Sequence, residues 1–66
     1  MIGNVKFFNR EKRYGFITGD DDGRDYYFSS REVKGVPSGI IDAGYTVFFT
    51  PSLNEKGRAA LDVSLY

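Results

Sequence analysis

Apolar and polar residues alternate along this chain in short stretches separated by glycine, aspartate and charged residues. No stretch holds a helical period long enough to matter. The pattern predicts five strands. The first covers residues 2–9, rich in Val and Phe, and the second covers 14–18, with the charged turn Arg10-Glu11-Lys12-Arg13 between them. Residues 19–23, Gly-Asp-Asp-Asp-Gly, form a polar hairpin turn, because Asp and Gly tolerate the positive φ that such turns need. The third strand is predicted over 25–29. A long connection over 30–45 follows, carrying Gly35, Pro37, Gly39 and Gly44, with a single helical turn near 30–33. The fourth strand covers 46–50 and the fifth 59–65, joined by a polar loop over 52–57. Five short strands with a long link between the third and fourth point to one all-β domain over 1–66, a small Greek-key barrel.

Period-two alternation then assigns faces. On the fifth strand, Leu61, Val63 and Leu65 share the core face, opposite Ala60, Asp62 and Ser64. On the fourth, Val47 and Phe49 point inward. Placing Ile17 in the core leaves Tyr14 and Phe16 together on the outer face of the second strand. Burying Tyr26 and Phe28 leaves Tyr27 outside on the third, near Tyr14 and Phe16 if the two strands pair. The first strand does not sort cleanly, because Phe7 and Phe8 are adjacent and must point oppositely unless a bulge intervenes. Phe8, Tyr45 and Phe48 are expected to be partly buried packing residues.

Composition narrows the chemistry. A 66-residue chain buries only about 60% of its unfolded surface. There is no cysteine to supply a disulfide or thiolate metal site, and no histidine to supply the commonest general base and metal ligand. Histidine-dependent triads and histidine zinc sites are excluded, and no activated nucleophile stands out, so an enzyme is not expected and no cofactor or metal is implied. Asp20-Asp21-Asp22 lacks the ligand spacing of a calcium loop and reads as a solvated turn. No apolar run approaches the roughly 20 residues needed to cross a bilayer, and the N-terminus lacks the apolar stretch of a signal peptide. A soluble, cytoplasmic protein is the expectation.

Nine Lys plus Arg balance nine Asp plus Glu, whereas proteins that depend on phosphate contacts are usually basic. The aromatic content changes the picture: six Phe and five Tyr are more rings than so small a core easily hides. Rings on an outer face flanked by cations have a specific use. Each unpaired base stacked on such a ring gains about 1–3 kcal/mol, which selects single strands over duplexes. Tyr14, Phe16, Tyr27 and Phe7 are the candidate platforms, and Lys6, Lys12, Arg13, Lys56 and Arg58 the candidate phosphate contacts. Gly15 between two rings permits close packing or strong strand coiling. Arg24, Arg31 and Lys34 read as surface charges. The simpler alternative is that the three rings Tyr14, Phe16 and Tyr27 only brace the sheet, since cross-strand aromatic pairs contribute up to about 1 kcal/mol.

The residues of this strip also resemble a known family. Val5-Lys6-Phe7-Phe8-Asn9, followed by Glu11-Lys12-Arg13-Tyr14-Gly15-Phe16-Ile17, is similar to the bacterial cold-shock domain and its Y-box relatives, whose stretch reads G-x-V-K-W-F-N-x-x-K-G-F-G-F-I. Asp25-Tyr26-Tyr27-Phe28 falls at the family's second ribonucleoprotein-type motif. Residues 43–49 and 56–63 resemble its later segments. The resemblance spans essentially the whole chain. It implies a five-stranded antiparallel Greek-key barrel of the OB type that binds single-stranded RNA or DNA, as an RNA chaperone or gene regulator, with Asn9 joining the contact residues above. The implied protein is a monomer with no small-molecule substrate and no membrane contact. Five positions depart from the family: Phe7 replaces a Trp, Arg13 a Gly, Ser29-Ser30 a His-Phe pair, and Ser38 a loop aromatic. The platform is therefore smaller and weaker binding than that of relatives is expected. The competing function is a protein-interaction module whose nucleic-acid binding has weakened or been lost.

Overall fold

Five strands, β1 (Ile2–Asn9), β2 (Tyr14–Gly19), β3 (Asp25–Ser29), β4 (Thr46–Asn54) and β5 (Gly57–Leu65), and two 3₁₀ turns, Ser30–Glu32 and Ser38–Ile40, make up the computed structural model. It describes residues 1–66 apart from the side chain of Ser38, so the position where relatives carry a loop aromatic falls outside the described side chains. β1 and β3 have the limits the alternation predicts, and β2 runs one residue further. β4 and β5 are longer than expected and meet at a two-residue turn, Glu55-Lys56, with Asn54 paired to Gly57. Pro51 reads as a strand end because it has no N–H to donate. It is tolerated here because β1 covers β4 only at Thr46, Val47 and Phe48, so nothing needs a donor on the other side of Pro51.

The strands close in the order β1-β2-β3-β5-β4, with β4 returning to β1. An odd number of strands cannot alternate direction all the way round a closed barrel. The mismatch falls between β3 and β5, which pair in parallel at Tyr27 and Ala59; every other pair is antiparallel. Inside lie Val5, Ile17, Tyr26, Phe28, Val47, Phe49, Ala60 and Val63, with Ile41 contributed by the β3–β4 link. The inward assignments of Ile17, Tyr26, Phe28, Val47 and Phe49 hold.

Two bulges account for the places where strict alternation fails. In β1 the register slips between Val5 and Phe7. Val5 points in, Lys6 and Phe7 both point out, and Phe8 turns back to stack on Phe28 with ring centroids 5.6 Å apart. In β5 the register slips opposite Phe48 and Thr50, where Asp62 takes a positive φ of 50°. The extra residue exchanges faces: Ala60 is buried and Leu61 exposed, the reverse of the assignment by alternation, while Val63 and Leu65 stay with the core. Phe48 and Tyr45 are also exposed rather than partly buried. Phe48 lies on the outer face of β4, where among the described residues its one ring neighbour is Tyr66, 5.0 Å away.

Candidate nucleic-acid interface

The β1 bulge decides what the outer face carries. Without it Phe7 would follow Gly3 and Val5 into the barrel; with it Phe7 stands opposite Phe16 on β2. Phe16 in turn stands opposite Tyr27 on β3. Phe7, Phe16 and Tyr27 thus form a row across three strands. Tyr14 lies two residues from Phe16 on the same face, with its centroid 5.9 Å from Phe7, 6.2 Å from Phe16 and 5.8 Å from Tyr27. Phe16 and Tyr27 are 6.0 Å apart, edge to face. Phe7 and Tyr27 are 43% and 44% exposed, while Tyr14 and Phe16 are half-buried because the other rings flank them. Four π-faces therefore share one continuous surface in offset geometries that hold each ring in place.

Gly15 makes this surface possible from behind. A Cβ there would collide with the Phe7 carbonyl oxygen and lie 2.9 Å from the Phe28 ring, so only glycine lets β1 approach so closely.

The cations sit around the rings in three places. Lys6 leaves the β1 bulge and pairs with Asp25 at 2.8 Å. That ammonium, and then the Thr18 hydroxyl at 2.9 Å, hold the Asp25 carboxyl below the usual range. Lys12 and Arg13 lie on the β1–β2 turn, which Asn9 organises: its Oδ1 accepts from the Lys12 N–H at 2.9 Å and its carbonyl from the Arg13 N–H at 2.7 Å. Arg13 has a φ of 60°. Lys56 and Arg58 reach the other end of the ring row, where with Phe16, Tyr27, Asn54, Gly57 and Ala59 they line a groove of about 430 Å³. Among the described residues the ion pairs are Lys6–Asp25 and Arg10–Asp42, so Lys12, Arg13, Lys56 and Arg58 are unpaired. Asp20, Asp21 and Asp22 lie beyond the opposite end of β2 from Tyr14. A neutral chain thus places free positive charge at both ends of an aromatic surface.

Of the ten predicted site residues, the four rings share this face, Lys56 and Arg58 line the groove at one end of it, and Asn9, Lys12 and Arg13 lie on the turn leading into Tyr14, with two qualifications. Lys6 is committed to Asp25, and Asn9 spends its side-chain oxygen on the turn. At the position of the family's His, the Ser29 hydroxyl caps the first 3₁₀ turn by accepting from the Arg31 N–H at 3.2 Å. Reading the sequence missed Arg10, which the fold brings to within reach of the 37–41 segment. Contacts between segments so far apart leave no periodic signal. Asp22 spends its carboxylate on the Arg24 N–H and the Tyr26 hydroxyl, as a structural turn does. No helix among the described residues is long and apolar enough to cross a membrane.

Comparison with known proteins agrees with this geometry. The family model described as the "Cold-shock" DNA-binding domain matches residues 1–66. The Cold shock-like protein CspA of Vibrio cholerae serotype O1 is 33% identical over 64 residues, 97% of this chain and 91% of its own. Cold shock protein 1 of Lactiplantibacillus plantarum is 38% identical over 63 residues, covering 92% of this chain and 91% of that protein. The Cold shock-like protein CspG of Escherichia coli K12 is 32% identical over 63 residues, covering 96% and 90% respectively.

Proposed function

Because the chain belongs to the cold-shock domain family, whose members are generally nucleic-acid-binding and non-enzymatic, we propose that it binds single-stranded RNA or DNA by stacking unpaired bases on Phe7, Tyr14, Phe16 and Tyr27. Lys12 and Arg13 at one end, and Lys56 and Arg58 at the other, contact the phosphates. The observation that carries this reading is the row Phe7–Phe16–Tyr27, built by a bulge that turns Phe7 outward beside two rings already facing solvent. A backbone irregularity that only buried packing required would have no reason to expose a phenyl ring.

Stacking accepts any base, because every base has a π-face. Such a surface suits an RNA chaperone or a regulator that holds strands open rather than one that reads a sequence. It acts as a monomer in the cytoplasm, since one copy presents the whole platform. With Ser29 and Ser30 at two family stacking positions, affinity is lower than that of relatives carrying the full set.

Titration of a short oligothymidylate, followed by tyrosine fluorescence and backbone amide shifts, tests the reading. Shifts concentrated at Phe7, Tyr14, Phe16 and Tyr27, saturating in the micromolar range, are the expected result. No response at high micromolar ligand overturns it. The competing role, a protein-interaction module, predicts self-association or partner capture that survives nuclease treatment.

A further inference from the structure

Beside the ring platform, a second hollow opens where the β1–β2 turn faces the β3–β4 link. Phe8, Arg10, Arg13, Pro37 and Gly39 line it, and its volume is about 410 Å³. Phe8 gives it a fixed apolar wall, because that ring stacks on the buried Phe28 at an interplanar angle of 15°. Pro37 and Gly39 add no charge, so the charged groups lining it are the two guanidiniums, with the Asp42 carboxylate beside Arg10.

Neither guanidinium is spent. Arg10 lies 3.5 Å from the Asp42 carboxylate and 3.5 Å from the Ile41 carbonyl. Both contacts are long and the two side chains are largely exposed, so most of the five Arg10 donors stay unused. Arg13 makes no ion pair among the described residues. Its backbone is pinned on both sides: the N–H donates to the Asn9 carbonyl, and the carbonyl accepts from Ser30 N–H at 2.9 Å. A φ of 60° is a left-handed conformation that an arginine rarely adopts and glycine adopts freely. Strain retained at an exposed position points to a use for the side chain.

We propose that this cleft binds a backbone phosphate of the single strand adjacent to the base on Tyr14, so that the platform ends there on charge rather than on another ring. Two planar guanidinium forks match the oxygens of a phosphate bidentately, and the Phe8 and Pro37 walls accept the apolar side of the sugar. Ser30, where the family has a ring, is tied to Arg13 by that backbone bond and offers no π-face beside the cleft. Charge recognition therefore takes the place of stacking at this end. The inference rests on the strand-binding role proposed above.

The test is the salt dependence of oligothymidylate binding to three variants. Arg13→Gly removes the charge while suiting the left-handed backbone, so its thermal midpoint is expected to match or exceed that of the parent. Arg10→Gln keeps the length and polarity of the side chain and gives a second, independent probe. Phe16→Ala reports on the platform. Each arginine variant is expected to weaken binding several-fold at low salt and to make the slope of log K against log salt shallower by about 0.7, the value for one phosphate contact on a single strand. Phe16→Ala weakens binding with the slope unchanged. If both arginine variants keep the parent slope and affinity while Phe16→Ala loses binding, the cleft does not hold a phosphate and the platform stands. If Phe16→Ala also binds as the parent does, the platform reading fails and this inference fails with it.

Discussion

Tyr26 shows how one bond can set stability at both ends of the pH scale. Its ring is buried against Phe49, yet its hydroxyl reaches the preceding turn and donates to Asp22 Oδ2 at 2.5 Å. That bond is the main cause of two opposite shifts: it holds the Asp22 carboxyl below the usual range and pushes the Tyr26 phenol above it. A carboxyl depressed in the folded state gives stability that is present above its unfolded pKa and lost as pH falls through the folded one. A phenol raised in the folded state gives stability that is present below its unfolded pKa and lost as pH rises through the folded one. Tyr26→Phe is therefore expected to lower the thermal midpoint at neutral pH, and the gap from the parent is expected to narrow as pH rises above about 10, where the phenol of the unfolded chain begins to ionise while the folded one still holds its proton. A gap that stays constant across the alkaline range would show that the bond does not form. At the same scale, exposed rings are not equivalent. Tyr27 sits in the row with Phe16, whereas Phe48 sits on β4 beside Tyr66. Tyr27→Ala is expected to weaken oligothymidylate binding about 5- to 150-fold, the equivalent of about 1–3 kcal/mol for one stacked base. Phe48→Ala is expected to leave it unchanged, and equal losses from both would remove the platform's claim to be the site.

Bulges, not strand counts, separate what the chain spells out from what it does not. The number of strands, the inner faces of β2, β3 and the first half of β4, and three of the four platform rings were legible because period-two alternation runs through those stretches. Phe7 and Phe8 announced an irregularity without revealing its direction, since either ring could have been the outer one. At β5, Leu61-Asp62-Val63-Ser64-Leu65 alternates well enough to hide the bulge, which shows only in the folded chain, as a register slip and a left-handed Asp62. The Arg10 cleft left no trace in the pattern, because it joins the turn after β1 to a link more than 20 residues later. Close approach between strands is equally a property of the element. Gly15→Ala places a methyl group against the backbone of Phe7 and the edge of Phe28, neither of which can move without opening β1 from β2. Overpacking of about 1–3 kcal/mol, at roughly 4–8 °C per kcal/mol for a domain of this size, predicts a midpoint lower by on the order of 10 °C. Asp62→Val places a β-branched side chain at a positive φ and is expected to cost about 1–2 kcal/mol by chemical denaturation, whereas Asp62→Gly costs nothing. If both substitutions are equally harmless, the bulge lies elsewhere.

Zero net charge for the whole molecule conceals an uneven distribution, and salt dependence measures it. Counting only formal charge, binding should be nearly indifferent to salt. The fold leaves Lys12, Arg13, Lys56 and Arg58 unpaired around the rings, while Lys6 is held by Asp25. Up to four phosphate contacts correspond to a slope of log K against log salt of about −3 on a single strand. The slope is therefore expected to be steeper than the net charge suggests but shallower than five cations would give, because Lys6 must first leave Asp25. Asp25→Asn removes that competitor. Its fold cost is small, since an ion pair this exposed is screened by solvent and contributes little to stability. It is expected to tighten binding at low salt and to steepen the slope by about 0.7 as Lys6 becomes free to meet a phosphate. Lys6→Gln leaves the parent slope unchanged and cancels the effect when combined with Asp25→Asn. The same release follows from pH: the carboxyl lies below its ordinary range, so Lys6 stays captive through mildly acidic conditions and is freed only as Asp25 takes up its proton. A parent slope already as steep as that of Asp25→Asn would mean that Lys6 contacts phosphate despite Asp25, and that the acid on this face does not limit the interface.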